Sequence, residues 1–175
     1  MSFIIQASCP RVTGVFNSEA ESLSDAIESS FPLLTENAVM VWNYIPILLG
    51  YKYDISIMID DILDVLEVLR AEDSGTKTIH WASNTFAHIW YLSWESTQLV
   101  IKADWGSVSG GIGEILKNSG NVTLTKQSFS SEWKKVLQNL ITALNEPGYS
   151  ENELSGMARL VHEYETIEIE GRVYQ

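Results

Sequence analysis

The chain contains a single cysteine, Cys9, among its 175 residues. One thiol excludes an intrachain disulfide framework and a metal site built from several cysteines, so we expect Cys9 to be a small buried hydrophobic residue. No stretch approaches the roughly 18 consecutive apolar residues of a membrane-spanning helix. The first ten residues have no basic side chain and only a short apolar run, which argues against a signal peptide. We therefore expect a cytoplasmic protein without a membrane partner.

Basic residues are also scarce. Lys and Arg number 11 against 23 Asp and Glu, which gives a net charge of −12. Nucleic acid and anionic membranes repel such a protein, so both are excluded as partners. The composition, 45% apolar and 19% charged, is typical of a folded protein. The length and the lack of a linker predict one globular domain over residues 1–175.

Sequence motifs for catalysis or metal binding are missing. The chain has three histidines, and none lies at a spacing typical of a zinc site. The glycine-rich segment 106–120 has neither the lysine of a phosphate-binding loop nor the register of a dinucleotide fingerprint. We therefore expect no cofactor, no metal and no enzymatic activity.

Residues 54–73 predict one amphipathic helix that begins at Asp54, its expected N-terminal cap. Its apolar residues share one side at helical spacing. The opposite side carries an acidic ridge, defined here by four residues: Asp60, Asp61, Asp64 and Glu67. Carboxylates at this spacing repel one another by a few tenths of a kcal/mol per pair. No basic residue precedes Arg70 in this helix, so we interpret the ridge as lacking counter-ions and as presented to a cationic partner.

Three acids of the ridge, Asp60, Asp61 and Asp64, could also be mistaken for a magnesium site. Mg²⁺ in proteins usually takes one or two carboxylates together with a substrate phosphate. Such substrates need basic neighbours, and Arg70 is the only one nearby in the sequence. The protein-binding interpretation is therefore favoured.

Residues 76–105 predict a three-stranded meander with turns at Asn84-Thr85 and Glu95-Ser96. In this register Trp90 lies opposite Ile79 and Ile101, and Leu92 lies opposite Leu99. Trp81 and Trp94 fall on the same face, which is therefore the buried one. His88 lies opposite Trp81 and His80 opposite Ile89, so the two imidazoles point to opposite faces and do not form a pair. Trp105 ends the third strand, and we expect it to be exposed.

The remaining patterns predict helices and strands along the rest of the chain. A helix over 19–30, capped by Asn17 or Ser18, precedes a strand over 38–53 that bends at Pro46 and Gly50. The C-terminal half predicts helices over 112–118, 130–145 and 151–161 and strands over 121–125 and Glu165–Tyr174. The expected fold class is α+β, a mostly antiparallel sheet with a central meander and helices packed over one face.

In its size, acidity, α+β pattern and acidic helix, the chain resembles the bacterial immunity proteins of contact-dependent growth inhibition and related polymorphic toxin systems. The resemblance implies one-to-one binding of a cognate toxin, such as a basic nuclease domain. Its Lys and Arg would pair with the acidic ridge, where carboxylates stand in for substrate phosphates. Complementary charge speeds such capture. We expect reversal of Asp60, Asp64 and Glu67 to Lys to weaken binding at least tenfold and to leave thermal unfolding nearly unchanged.

Further residues extend the candidate partner-binding surface. Glu72 and Asp73 continue the acidic ridge, and Trp105 supplies an exposed aromatic contact. A second, weaker candidate surface consists of four acids near the C-terminus: Glu163, Glu165, Glu168 and Glu170.

Two other function classes remain open. A small-ligand-binding domain or an enzyme could place a pocket in the aromatic-rich sheet, with His88, Tyr91 and Trp105 near its mouth. A structural subunit or adaptor would instead require a large exposed apolar patch.

Overall fold

The computed structural model describes residues 2–169 and has an α+β fold. The smaller of its two sheets contains β1 (Phe3–Gln6), β2 (Ala38–Trp42) and β3 (Ile45–Leu49), in that order. The larger sheet contains β4 (Ser74–Ser83), β5 (Phe86–Glu95), β6 (Gln98–Val108) and β7 (Val122–Thr125). The helices are α1 (Leu23–Ser30), α2 (Ser56–Ala71), α3 (Gly113–Lys117), α4 (Lys126–Asn145) and α5 (Met157–Thr166). All neighbouring strands are antiparallel, so the predicted fold class is confirmed, but with two sheets.

The predicted meander forms the larger sheet, with one change of register. The turn at Asn84-Thr85 is confirmed, whereas the second turn lies at Ser96-Thr97, one residue later than predicted. Trp90 pairs with Ile79 on β4, as predicted. On β6 it pairs with Ala103 and not with the predicted Ile101. Leu92 pairs with Ile101 for the same reason. The pairing differs from the prediction by two positions, so the same side chains still face the core.

The smaller sheet differs from the prediction of one bent strand over 38–53. β2 and β3 form a hairpin whose two-residue turn, Asn43-Tyr44, has positive φ at both positions. Two positive φ angles match the twist of the flanking strands, and asparagine tolerates this conformation better than most residues. The Asn43 side-chain amide also donates to the carbonyl of Ser119 at 2.8 Å. β1, which the sequence patterns did not predict, pairs with β2.

Helix α1 begins later than predicted because a better cap lies downstream. Ser22 and Asp25 form a reciprocal capping box, in which the Ser22 hydroxyl accepts from the Asp25 N–H. Asn17, one of the two predicted caps, instead forms a turn, in which its side-chain oxygen accepts from the N–H of Glu19 and its backbone carbonyl from the N–H of Ala20. The predicted start of this helix is therefore wrong by about one turn.

The ends of the last two helices also differ from the predictions. α4 begins at Lys126 and not at Ser130, because the Thr125 hydroxyl accepts from the N–H of Ser128. α5 begins at Met157 and continues through Thr166, into the segment that was predicted as strand. Residues 170–174 of that predicted strand lie outside the described residues.

A cluster of aromatic side chains joins the two sheets and α4 in one core. The Trp42 and Phe3 rings of the smaller sheet lie 5.7 and 6.2 Å from that of Trp90 in the larger sheet. Trp133 of α4 stacks on Trp81 of β4 at 6.3 Å. The inner face of the larger sheet is therefore covered, while Thr78, His80 and Tyr91 are exposed on the outer face.

Candidate functional site

The start of α2 is fixed by a buried carboxylate. The chain makes a helical turn at Tyr51–Ile55 before α2, and Asp54 within it is buried. Its Oδ2 accepts from the N–H of Gly50 at 2.7 Å, and its Oδ1 accepts from the hydroxyls of Ser83 and Thr85. Asp54 therefore joins α2 to the β4–β5 turn, and the prediction that it begins the helix as an ordinary cap is wrong.

The acidic ridge on α2 has a counter-ion from a distant part of the chain, Arg159 of α5. Its Nε donates to Oε1 of Glu67 at 2.6 Å and its Nη2 to Oε2 of Glu67 at 2.8 Å, a bidentate arrangement. Its Nη2 also donates to Asp64, and its Nη1 lies 3.7 Å from Oδ1 of Asp60. One guanidinium therefore contacts three of the four ridge carboxylates.

A second cation, Lys77 of β4, also neutralises part of the ridge. Its Nζ lies 3.2 Å from Oδ2 of Asp64. The interpretation of the ridge as lacking counter-ions is therefore wrong. Both cations follow the helix in sequence and reach it only through tertiary packing of β4 and α5, so the local spacing of charges could not reveal them.

The ion pairs change the acid–base properties of the ridge. Burial opposes ionisation of Asp64, but hydrogen bonds from Arg159 and Lys77 lower its pKa overall. The hydrogen bond from Arg159 also lowers the pKa of Glu67. Asp61 differs, because partial burial and the nearby charge of Asp64 raise its pKa. The ridge thus has more carboxylates than cations, but three of its four carboxylates form ion pairs with Arg159 or Lys77.

We predict that Arg159→Gln lowers the free energy of unfolding by about 1–2 kcal/mol, because it leaves the ridge carboxylates to repel one another and releases α5 from α2. Urea denaturation would measure the loss, and amide exchange would localise it to α5. Lys102→Gln, which removes one charge from an exposed position on β6, is the matched control and should have little effect. An unchanged stability for Arg159→Gln would show that these pairs do not hold α5.

This contact also revises the expectation for charge reversal on the ridge. A lysine at position 64 or 67 would face Arg159 directly, so reversal there should destabilise the fold. A loss of binding in such variants would not by itself identify the interface.

Other predicted contact residues divide into exposed and buried ones. Glu72 and Asp73 are exposed just after α2. Trp105 is 5% exposed and stacks on His88 at 4.6 Å, so the prediction that it is exposed is wrong. Strand alternation continues through Trp105 onto the buried face of β6, a signal that would have placed it correctly. Cys9, expected to be buried, is exposed.

The structure does not bring together the three residues of the pocket that was hypothesised in the aromatic-rich sheet. His88 and Trp105 lie on the buried face, while Tyr91 is exposed on the opposite face. Burial lowers the pKa of His88 to about 3, which keeps its imidazole neutral at physiological pH. This histidine is therefore part of the core.

The four acids of the second candidate surface near the C-terminus do not form one exposed patch among the described residues. Glu163 is fully buried, and its Oε2 accepts from Nη1 of Arg70 at 2.6 Å. Glu165 and Glu168 are exposed, and Glu170 lies outside the described residues.

A different acidic surface emerges where two segments without Lys or Arg meet. Residues 12–51 and 136–158 contain no basic side chain. The N–H of Asn17 donates to the phenolic oxygen of Tyr149 at 2.9 Å, and Gly156 packs against Leu23. The fold therefore brings the two segments without basic side chains into contact, which the sequence alone did not show.

We call this surface the acidic end and define it by six exposed acids: Glu19, Glu21, Asp25, Glu146, Glu151 and Glu153. Among residues 2–169, none of the six forms an ion pair. Val15 and Phe16 lie beside them and are 62% and 48% exposed, and the Phe16 ring lies 4.6 Å from that of Tyr149. The acidic end thus combines unpaired carboxylates with an exposed aromatic residue on a packed support.

Within residues 2–169, no group of three or more His, Cys, Asp or Glu side chains is arranged to hold a metal ion. In the same range, no helix has both the length and the apolar character needed to cross a membrane.

Comparisons of this chain with protein-family models, with curated proteins and with solved structures find no match.

Proposed function

We propose that this protein is an immunity protein that binds one molecule of a positively charged toxin domain, a nuclease being the simplest case. The observation that carries the proposal is the acidic end, where six exposed carboxylates have no cation partner among the described residues. A basic partner gains complementary charge there without displacing an internal ion pair.

The neighbouring apolar residues suit the same role. Phe16 and Val15 are exposed, and Phe16 is held in place by its contact with Tyr149. Interface energy concentrates in a few such aromatic residues, surrounded by polar groups that exclude water. Phe16 would therefore be the central contact, and the carboxylates would orient a basic partner around it.

The acidic ridge has a supporting part in this proposal. Asp60 is 64% exposed and adds negative potential, although Arg159 and Lys77 neutralise part of the ridge. Exposed Glu72 and Asp73 extend that potential toward the larger sheet. Long-range steering depends on the net charge of −12, to which all these acids contribute.

The test uses the C-terminal domain of the protein encoded immediately upstream of this chain in its own genome. We expect the two purified proteins to form a one-to-one complex in a calorimetric titration, and co-expression to protect cells from that domain. An upstream domain that neither binds nor is neutralised would contradict the proposal.

A further inference from the structure

A pocket of about 190 Å³ lies where α2, α4 and α5 meet. Leu66 and Leu69 of α2 form an apolar side, and Lys126 and Ser130 come from the first turns of α4. At roughly 30 Å³ per water molecule in the liquid, this volume holds about six waters, or one small organic molecule. The pocket does not include any residue of the acidic end.

A buried carboxylate in this pocket lacks part of its hydrogen bonding. Glu163 lines the pocket and is 0% exposed. Its Oε2 accepts from Arg70, but its Oε1 has no hydrogen-bond partner among the described residues. Buried polar atoms are almost always hydrogen-bonded, because an unsatisfied one costs the full desolvation penalty. Oε1 is therefore an acceptor for which a bound molecule can supply the donor.

A positively charged side chain also lines the pocket. Lys126 has no carboxylate partner within residues 2–169, since its Nζ donates only to the Glu72 carbonyl, at 3.0 Å. It lies at the N-terminus of a 20-residue helix, where the helix dipole favours a negative group. Arg70 and Glu168 also line the pocket. The lining thus carries two positive and two negative side chains and is neutral overall.

We propose that this pocket binds a small zwitterion of amino-acid size. Its ammonium group donates to Oε1 of Glu163, its carboxylate accepts from Lys126 and Arg70, and an aliphatic part packs on Leu66 and Leu69. A simple cation would meet Arg70 and Lys126, and a simple anion would meet Glu163 and Glu168, so a molecule with both charges matches the lining better than either ion. This inference does not depend on the proposed immunity function.

The probes are the common L-amino acids, each measured by isothermal titration and by the rise in unfolding temperature. Two capped analogues of each binding amino acid serve as chemical controls, the N-acetyl derivative without the ammonium group and the methyl ester without the carboxylate. We expect at least one amino acid to bind and raise the unfolding temperature, and both capped forms to bind at least tenfold more weakly. Binding of none at about 10 mM, or equal binding of a capped form, would overturn the proposal.

Two substitutions test the assigned roles. Lys126→Met changes only a rim side chain and should weaken binding at least tenfold without loss of folding. Lys135→Met, at an exposed position of the same helix outside the pocket, is the matched control and should bind as the wild type does. Glu163→Gln should also abolish binding. Equal affinity of the Lys126→Met and Lys135→Met variants would overturn the assignment, even if Glu163→Gln failed to fold.

Discussion

Reversal of three charges at the acidic end, by Glu19→Lys, Glu21→Lys and Glu151→Lys together, should lower the affinity for the proposed toxin partner at least a hundredfold. The three side chains are exposed and have no ion pair among the described residues, so the reversal converts attraction into repulsion across the whole surface. A hundredfold loss corresponds to about 2.7 kcal/mol, which is within the range for close charge pairs at interfaces. The dissociation constant from titration is the measurement.

The control for this triple reversal has the same total change of charge. Asp73, Glu95 and Asp104 are exposed acids just before β4, on β5 and on β6, away from the acidic end, and none forms an ion pair among the described residues. Their reversal to Lys should weaken binding less than tenfold, through long-range electrostatics alone. Neither triple variant should unfold at a temperature far from that of the wild type. Equal losses of affinity in both would mean that net charge alone, and no particular surface, recruits the partner.

Acidification should destabilise the protein through His88 before the carboxylates protonate. The imidazole lies between Trp81 and Trp105, with ring centroids 5.5 and 4.6 Å away, and neither ring nitrogen has a hydrogen-bond partner among the described residues. Burial lowers its pKa from 6.5 to about 3 in the folded protein. The unfolded chain therefore binds a proton at a pH where the folded protein does not, which favours unfolding as the pH falls.

The expected stability curve follows from that difference. The contribution of neutral His88 is fully present above its unfolded pKa of 6.5 and is lost as the pH falls toward 3. From about pH 6 downward, the slope should approach about 1.4 kcal/mol per pH unit, and the total loss should reach several kcal/mol. Asp64 and Glu67, whose pKa values are lowered, add their own loss only below about pH 4.5. A loss of stability between about pH 6 and pH 5 is therefore assigned to the histidine, since the raised pKa of Asp61 produces a change of the opposite sign.

His88→Phe should remove most of this acid sensitivity, since phenylalanine fills a similar space without a titrating group. Urea denaturation at several pH values would give both curves. His80→Gln, on the exposed face of the same hairpin, is the comparison variant and should retain the acid sensitivity, because His88 is still present. A wild-type curve that is flat between about pH 6 and pH 5 would rule out a neutral, buried His88.

The contrast between α2 and the meander shows what the sequence could predict. Alternation along β4 and β5 is local, so it placed Trp81, His88 and Trp90 on the buried face correctly. The ion pairs of the acidic ridge are not local, since Arg159 lies 92 residues from Glu67. Charge spacing within one helix cannot reveal a cation that arrives with another helix.

The acidic end is a second feature that the local sequence could not predict. Its two segments without bases are visible in the sequence, but their contact depends on Asn17 meeting Tyr149, 132 residues away. The buried Trp105 is different, because its position was available from strand alternation, and proximity to a glycine-rich segment was the weaker signal. Local patterns thus predicted the fold class and the covered face, while the arrangement of charge required the tertiary structure.

Electrostatic capture of a basic partner is most directly tested by the association rate constant of the complex at increasing ionic strength. Stopped-flow mixing with the proposed toxin partner, the domain encoded upstream, should show a rate that falls at least tenfold between about 50 and about 500 mM salt, because the Debye length shrinks severalfold. An association rate that does not change over this range would contradict the proposed role of the acidic surface.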